Sequence, residues 1–408
     1  MSTQVHPAIF VSKTPQTLSS MRQCSDRALR AAAGFWFVVC VFGQLIFAFT
    51  VASFYGLTAA RGNWQQWNKN MTHGYSPDHP LGNLVVAAHL ASAVIVLLSG
   101  AIQLVPFVRR RTPRLHRWNG RLYMLSAFGV SLAGLYMLWG RGAVGDLSQH
   151  IGQSLDAALI MLFAALALRY ALARDFKSHR RWSLRLFMAV SASLFIRSGL
   201  FLTLMVNHGP FGFDAATFRG PFLTFLLFGQ YLVPLAVLEI YFRTQERAAA
   251  ARRFAMAAGL FVLTVMLGAG IAAVAMGSFL PNLKKAYDRR ISIADTLSAT
   301  IAAGGLNQAI RQYRDLKGTA AARYNFDEDE LNILGYQLVQ KRQYPQAIRI
   351  FQLNVDAYPH SGNTWDSLGE AYMDDGNKSE AIAAYHQSLL LNPGNANGVK
   401  MLERLNAR

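Results

Sequence analysis

Seven apolar runs, near residues 35–57, 83–108, 118–140, 153–173, 183–206, 221–242 and 254–280, dominate the first two thirds of the chain. Each is long enough to cross about 30 Å of hydrocarbon as a helix, which takes roughly 20 residues. After Pro281 the pattern changes to shorter amphipathic helices, and from about residue 328 it repeats with a period of 34. The expected fold class is therefore all-α, a seven-helix transmembrane bundle followed by a soluble α-α repeat domain. The boundaries fall at 1–30 for an N-terminal tail, 31–281 for the spans, 282–325 for a helical linker with a degenerate repeat, and 326–408 for the repeats.

Composition supports a membrane protein: 52% of the 408 residues are hydrophobic and only 15% are charged. The first 34 residues carry Lys13, Arg22, Arg27 and Arg30 but no short apolar core with a small-residue cleavage site, so the first span is expected to remain as an anchor. Lys and Arg distribute unequally over the segments between spans. Nineteen fall on the side of the N-terminus and four, Arg61, Lys69, Arg141 and Arg219, on the other. The positive-inside rule then orients the chain with its N-terminus in the cytoplasm and its repeats outside, in a multi-pass protein of a bacterial cytoplasmic (inner) membrane.

The net charge of +18 belongs to this topology signal. Residues 1–281 hold 25 basic and 8 acidic side chains, whereas 282–408 hold 15 and 14. No nucleic-acid partner is expected. Cys24 and Cys40 lie at different depths, which argues against a disulfide or a metal pair. No G-x-S-x-G or S-x-x-K nucleophile motif stands in the chain, and no catalytic residue is assigned.

In the tail, Leu334-Gly335 recurs as Leu368-Gly369, Ala347 as Ala381, Phe351 as Tyr385 and Pro359 as Pro393, each 34 residues apart. That is the tetratricopeptide pattern, and small residues at Gly335 and Ala347 would let paired helices approach closely. The stretch resembles the tetratricopeptide-like tail behind some bacterial serine hydrolase domains. Two repeats leave apolar faces open, so residues 304–317, with Ala309 and Tyr313, are expected as a degenerate preceding helix and residues 396–405 as a cap. Residues 304–405 then offer either a groove for an extracytoplasmic protein or peptide, or a packing unit that stabilises the chain end.

Polar residues inside spans are costly and point to function. They are Gln44, His89, Gln103, Asp156, Arg169, Arg197, Gln230 and Glu239. Arg169 and Glu239 lie near span ends, where long side chains can reach water. Arg197 needs an acceptor, and Asp156 is the natural counter-charge; with Gln230 they outline either an outward-facing anion site or a structural ion pair.

The phrase "HRWNGRLYM" from His116 is echoed by "HRRWSLRLFM" from His179. Thr112 and Asp175 suit the N-cap of the two helices, which puts each histidine at the same fourth position. His89 precedes His116 by 27 residues and His150 precedes His179 by 29, the spacing of a duplicated two-helix unit. Histidine pairs at two depths of a helix bundle are how b-type haems are held. The arrangement is similar in outline to the two-haem transmembrane b-type cytochromes, a resemblance that assigns His89 with His150 to an outer haem b and His116 with His179 to an inner one; no other metal is expected. The alternative readings are a basic clamp on lipid phosphates at two helix starts, or a site for another anionic or quinone-like ligand. Residues from about 83 to 200 also resemble a family of predicted bacterial membrane proteins of unknown function, whose members carry an HRxxGR phrase and a later HRxW phrase followed by an Arg. Here those are His116, Arg117, Gly120 and Arg121, then His179, Arg180, Trp182 and Arg197.

Overall fold

A computed structural model describes residues 15–71, 73–214 and 218–406. It divides into two compact units that meet between Tyr287 and Asp288, six residues after the point where the hydropathy pattern changes.

The first unit is built from α1 (Pro15–Ala60), α2 (Pro80–Leu104), the short α3 (Pro106–Arg111), α4 (Pro113–Gly140), α5 (Leu147–Leu172), α6 (Phe176–Val190), α7 (Ala192–Val206), α8 (Pro221–Arg247), α9 (Ala250–Val274) and α10 (Leu280–Tyr287). Among the described residues six of its helices are long and apolar enough to cross a membrane, and the bent pair α6–α7, taken as one span, brings the count to seven. α1 begins well before the apolar run does, so much of the stretch assigned to a tail is helix continuous with the first span. Large apolar side chains such as Phe42, Leu84, Leu125 and Phe225 stay exposed around the outside, as lipid-facing positions should.

Span five is the central one. α6 packs on α2, α5 and α8, and α7 packs on α1, α8 and α9. Its middle, Leu186 to Ala192, is buried without interruption. The two halves meet at an angle of 42° at Ser191. There the Ser191 hydroxyl donates to Phe187 O at 2.6 Å and accepts from Gln44 Nε2 at 2.7 Å. A serine that bonds back to the preceding turn bends a helix, and the α1 amide holds the bend from the side.

The helix starts at the arginine-rich end follow the expected register. The backbone N–H of His116 donates to Thr112 O and that of His179 to Asp175 O, so both histidines are fourth in their turns. The caps differ. Asp175 accepts from Ser178 N at 3.0 Å, whereas the Thr112 hydroxyl turns back to Val108 O and caps nothing in α4.

The second unit contains α11 (Ile293–Gly304), α12 (Leu306–Thr319), α13 (Glu328–Gln340), α14 (Tyr344–Ala357), α15 (Gly362–Asp374), α16 (Lys378–Leu391) and α17 (Ala396–Asn406). α13–α14 and α15–α16 are the two repeats, and α17 caps the second as expected. The degenerate helix, α12, buries Ala309 and Tyr313 but is not alone: α11 pairs with it, so a full hairpin precedes the repeats. A two-residue parallel bridge, β1 (Ile291–Ser292) with β2 (Tyr324–Asn325), ties the ends of that hairpin together.

The small residues do what the spacing implied. A Cβ on Gly335 would come within 2.5 Å of the Phe351 ring, and one on Gly369 within 3.2 Å of Tyr385. Gly335→Ala is therefore expected to cost about 1–3 kcal/mol by overpacking, more than its helix-propensity gain of roughly 1 kcal/mol. Gly369→Ala, with only mild crowding, should come out near neutral. Thermal unfolding of the two variants ranks them, and equal melting temperatures would refute the packing argument.

Glu370, on α15, accepts from the Tyr336 hydroxyl at 2.8 Å across the two repeats. Burial holds its carboxyl above the usual glutamate range despite that bond, and Asp374 and Asp366 add like charge. A raised value means that the folded domain binds the proton more tightly than the unfolded chain does. This group's stabilising contribution is full below the unfolded pKa of about 4.3 and is lost as pH rises through the folded value. Glu370→Gln should be more stable than the parent at neutral pH, with the difference closing below about pH 4. Unfolding measured over a pH series checks this, and a gap that does not depend on pH would count against it.

Candidate functional site

At the arginine-rich end, residues of every helix from α1 to α9 line a cavity of about 1430 Å³. Its deep part is apolar, lined by Trp36, Phe37, Phe187, Phe195, Leu263 and Leu267 among others. Its rim carries Arg30, Arg109, Arg117, Arg121, Arg174 and Arg180, with His116 and His179, and no carboxylate lines it. Pro234, inside α8, also lines the wall; a proline there removes the backbone bond to the carbonyl of Gln230.

The carboxylates at this end are spent elsewhere. Glu239 pairs with Arg185 at 2.9 Å and Arg243 at 3.4 Å, Glu246 pairs with Arg181 at 3.3 Å, and Asp26 pairs with the buried Arg253. Asp175 caps α6. Among the described residues none of the six rim arginines makes an ion pair. Arg121 instead lies 4.8 Å from the Trp118 ring centroid, and Arg30 donates to Asp26 O at 3.2 Å.

The HRxxGR phrase has a local structural job as well. Gln103, near the end of α2, donates from Nε2 to His116 Nε2 at 3.3 Å. Asn119 donates to Gln103 Oε1 at 3.0 Å and to Ser99 O at 2.8 Å. Gly120 leaves room for this: a Cβ there would sit 2.9 Å from the Gln103 amide. One turn of α4 is thus latched to α2, while Arg117 and Arg121 of the same phrase face the cavity.

The second phrase latches differently. His179 donates from Nδ1 to Ala167 O of α5 at 2.8 Å. Trp182 packs on Phe163, centroids 5.6 Å apart, in the core, and Arg185 lies 4.6 Å from the Trp182 ring while paired to Glu239 of α8. Trp118, by contrast, is 69% exposed. The two copies share a register and a cavity but not their partners.

The assigned histidines separate accordingly. His116 and His179 line one cavity and interact electrostatically. His89 and His150 are not brought together. His89 donates from Nδ1 to Val130 O, whereas His150 meets Trp139 edge-to-face and donates to Ala143 O in the α4–α5 connection. Val130 and Trp139 are nine residues apart on α4, about 13 Å at 1.5 Å per residue, too far for one iron. The inner pair fits haem b incompletely: His179 keeps Nε2 free, but His116 has Nε2 engaged by Gln103 and Nδ1 buried without a partner.

Arg197 and Asp156 are not brought together either. Among the described residues Asp156 makes no ion pair, its Oδ1 is buried without a hydrogen bond, and its neighbour is Tyr231 of α8. Gln230 donates to Leu227 O in its own helix at 2.9 Å.

Residues 86–233 match the family model described as "Predicted membrane protein (DUF2306)", and residues 362–395 match that of the "Tetratricopeptide repeat". The chain joins these two modules. No curated protein matches it. The first match takes in both basic phrases, Asp156 and Arg197, and the second covers the repeat α15–α16.

Gln103 is expected to be the keystone of the latch. Gln103→Ala would remove a partner from both Asn119 and His116 in a half-buried setting, at about 1–3 kcal/mol. Gln103→Glu keeps the acceptor for Asn119 and should lose less. Thermal melts of the detergent-purified protein would show the order; an unaffected Ala variant would rule the latch out as a source of stability.

Proposed function

We propose that the membrane half binds an anionic amphiphile, with a phosphate-type headgroup at the rim and its apolar tail in the cavity, and that it anchors a protein-binding repeat module. The observation that carries this reading is a rim of six arginines and two histidines without a carboxylate, set over an apolar chamber. Guanidinium groups suit phosphate oxygens because their N–H donors match them in pairs. A cluster of unpaired cations next to hydrocarbon gains most from an anion that brings its own apolar tail.

The charge asymmetry between the two sides, together with seven spans, supports placing the cavity on the cytoplasmic side of a bacterial inner membrane and the repeats outside it. Lipid would then be read on one side and a polypeptide on the other.

Haem b is the second reading of the same histidines. His179 favours it, because Nδ1 fixed by a backbone carbonyl is the usual support of a metal-ligating imidazole. Against it stands the engagement of His116 by Gln103. An absorption spectrum of protein expressed with haem supply decides: a b-type spectrum lost in His179→Ala would establish it, and no bands would end it.

For the amphiphile, the melting temperature of the purified full-length protein is measured in mixed micelles of phosphatidylglycerol or phosphatidylcholine. Phosphatidylglycerol should stabilise selectively, and Arg117→Gln with Arg180→Gln should weaken that effect at least tenfold, given about 1.5–3 kcal/mol for each hydrogen bond to a charged group. Equal stabilisation by both lipids, or an unchanged effect in the double variant, would refute it.

A further inference from the structure

Arg197 lies beyond the bend in span five, on the half of the bundle away from the arginine-rich rim. It stands nine residues before the end of α7, so it is about 13 Å from that end. An arginine at such depth is expensive unless something neutralises it. Nothing charged does: among the described residues it makes no ion pair, with Asp156 or any other carboxylate, and Asp156 Oδ1 is buried without a hydrogen bond.

What surrounds Arg197 is aromatic and neutral. The guanidinium sits 4.6 Å from the centroid of the Phe47 ring on α1, so one face is held by a cation–π contact. It donates from Nη1 to Ser193 O at 2.8 Å. Tyr55 of α1 and His89 of α2 lie within its electrostatic reach. His89 is steered by its Nδ1 bond to Val130 O, which leaves Nε2 unspent.

The side chain remains exposed although three helices supply its neighbours. A guanidinium has five N–H donors in a planar fork. With one of them on Ser193 and one face on Phe47, the Nε–Nη2 edge keeps both of its donors. That edge pairs bidentately with a planar carboxylate.

We infer that Arg197, with Phe47 beneath it and Tyr55 and His89 beside it, is a second ligand site, for a small carboxylate that enters from the end opposite the arginine-rich rim. Phe47 and Ser193 orient the fork, and Tyr55 supplies a hydroxyl donor. The site shares no residue with the inner cavity and does not depend on the amphiphile reading.

The test uses the full-length protein in a neutral detergent, with sodium acetate, succinate or inorganic phosphate compared against chloride at equal ionic strength. Acetate and succinate should raise the melting temperature in a saturable way, since a ligand that binds only the folded state stabilises it as its concentration exceeds Kd. Phosphate should do so less, because a carboxylate matches the planar edge. Arg197→Lys keeps the charge and loses the fork, so its affinity for acetate should fall at least tenfold; Arg197→Gln should abolish the shift. The Arg117→Gln, Arg180→Gln double variant should retain it, which separates this site from the inner cavity.

If Arg197→Gln does not fold, the Lys variant and equilibrium dialysis of labelled succinate against the parent still decide. An acetate shift that survives unchanged in Arg197→Lys, no carboxylate-specific shift in the parent, or a shift lost only in the inner-cavity variant would each overturn the inference.

Discussion

Four carboxylates at one end of the membrane bundle are outnumbered by the arginines around them, and the way they are shared decides what the bundle can do. Glu239, Glu246 and Asp26 pair with Arg185, Arg243, Arg181 and Arg253, tying α6 to α8 and α1 to α9. These pairs lie at helix ends, and for Arg253, which is buried, removing its Asp26 partner would leave an uncompensated charge. Because the carboxylates are used to hold helices together, the six arginines that line the cavity have no carboxylate partner among the described residues. The stability of the bundle and the chemistry of its cavity are thus consequences of one distribution of charge.

The same constraint explains why the two basic phrases look alike and behave differently. Each places a histidine fourth in its helix and an arginine next to the cavity. The first is held by the neutral amides Gln103 and Asn119, while the second is held by a carbonyl and by Arg185 with its glutamate. A latch of amides costs no charge, so it leaves Arg117 and Arg121 for the rim. The second copy sits on the central span, where Trp182 must pack in the core and Arg185 must be neutralised. Position in the bundle, rather than the phrase itself, determines which residues are structural.

Much of this was legible in the sequence. The apolar helices, the register of both histidines and the 34-residue period all follow from patterns local to the chain, and local patterns survive folding. The pairing of Arg197 with Asp156 did not survive, because residue counting gives depth along a helix but not its rotation. Asp156 is at a suitable depth, yet among the described residues it makes no ion pair with Arg197 and acts electrostatically on Tyr231 of α8. Gln103 was visible only as a polar residue in a span, since its role depends on the gap that Gly120 leaves on another helix. The α11 helix was read only as part of a helical linker, for a related reason. It lacks the repeat signature, and only its burial against α12 and α13 shows it to be part of the stack.

The bend at Ser191 connects these arguments. A straight central span would carry one continuous apolar core, and a ligand site on either side would have to be cut from the surrounding helices. Bending at Ser191 lets α6 and α7 lean on different neighbours, α5 for the first half and α9 for the second. The cavity reaches up to Phe187 and Phe195 on either side of the bend, and Arg197 lies two residues beyond. The Gln44–Ser191 hydrogen bond therefore supports the one joint at which the two polar regions of the bundle are kept apart. A buried amide with its Oε1 left unpaired is an expensive way to hold a joint. Its cost is repaid only if the angle matters, and the angle matters here because it sets the apolar wall between an arginine-lined rim and Arg197.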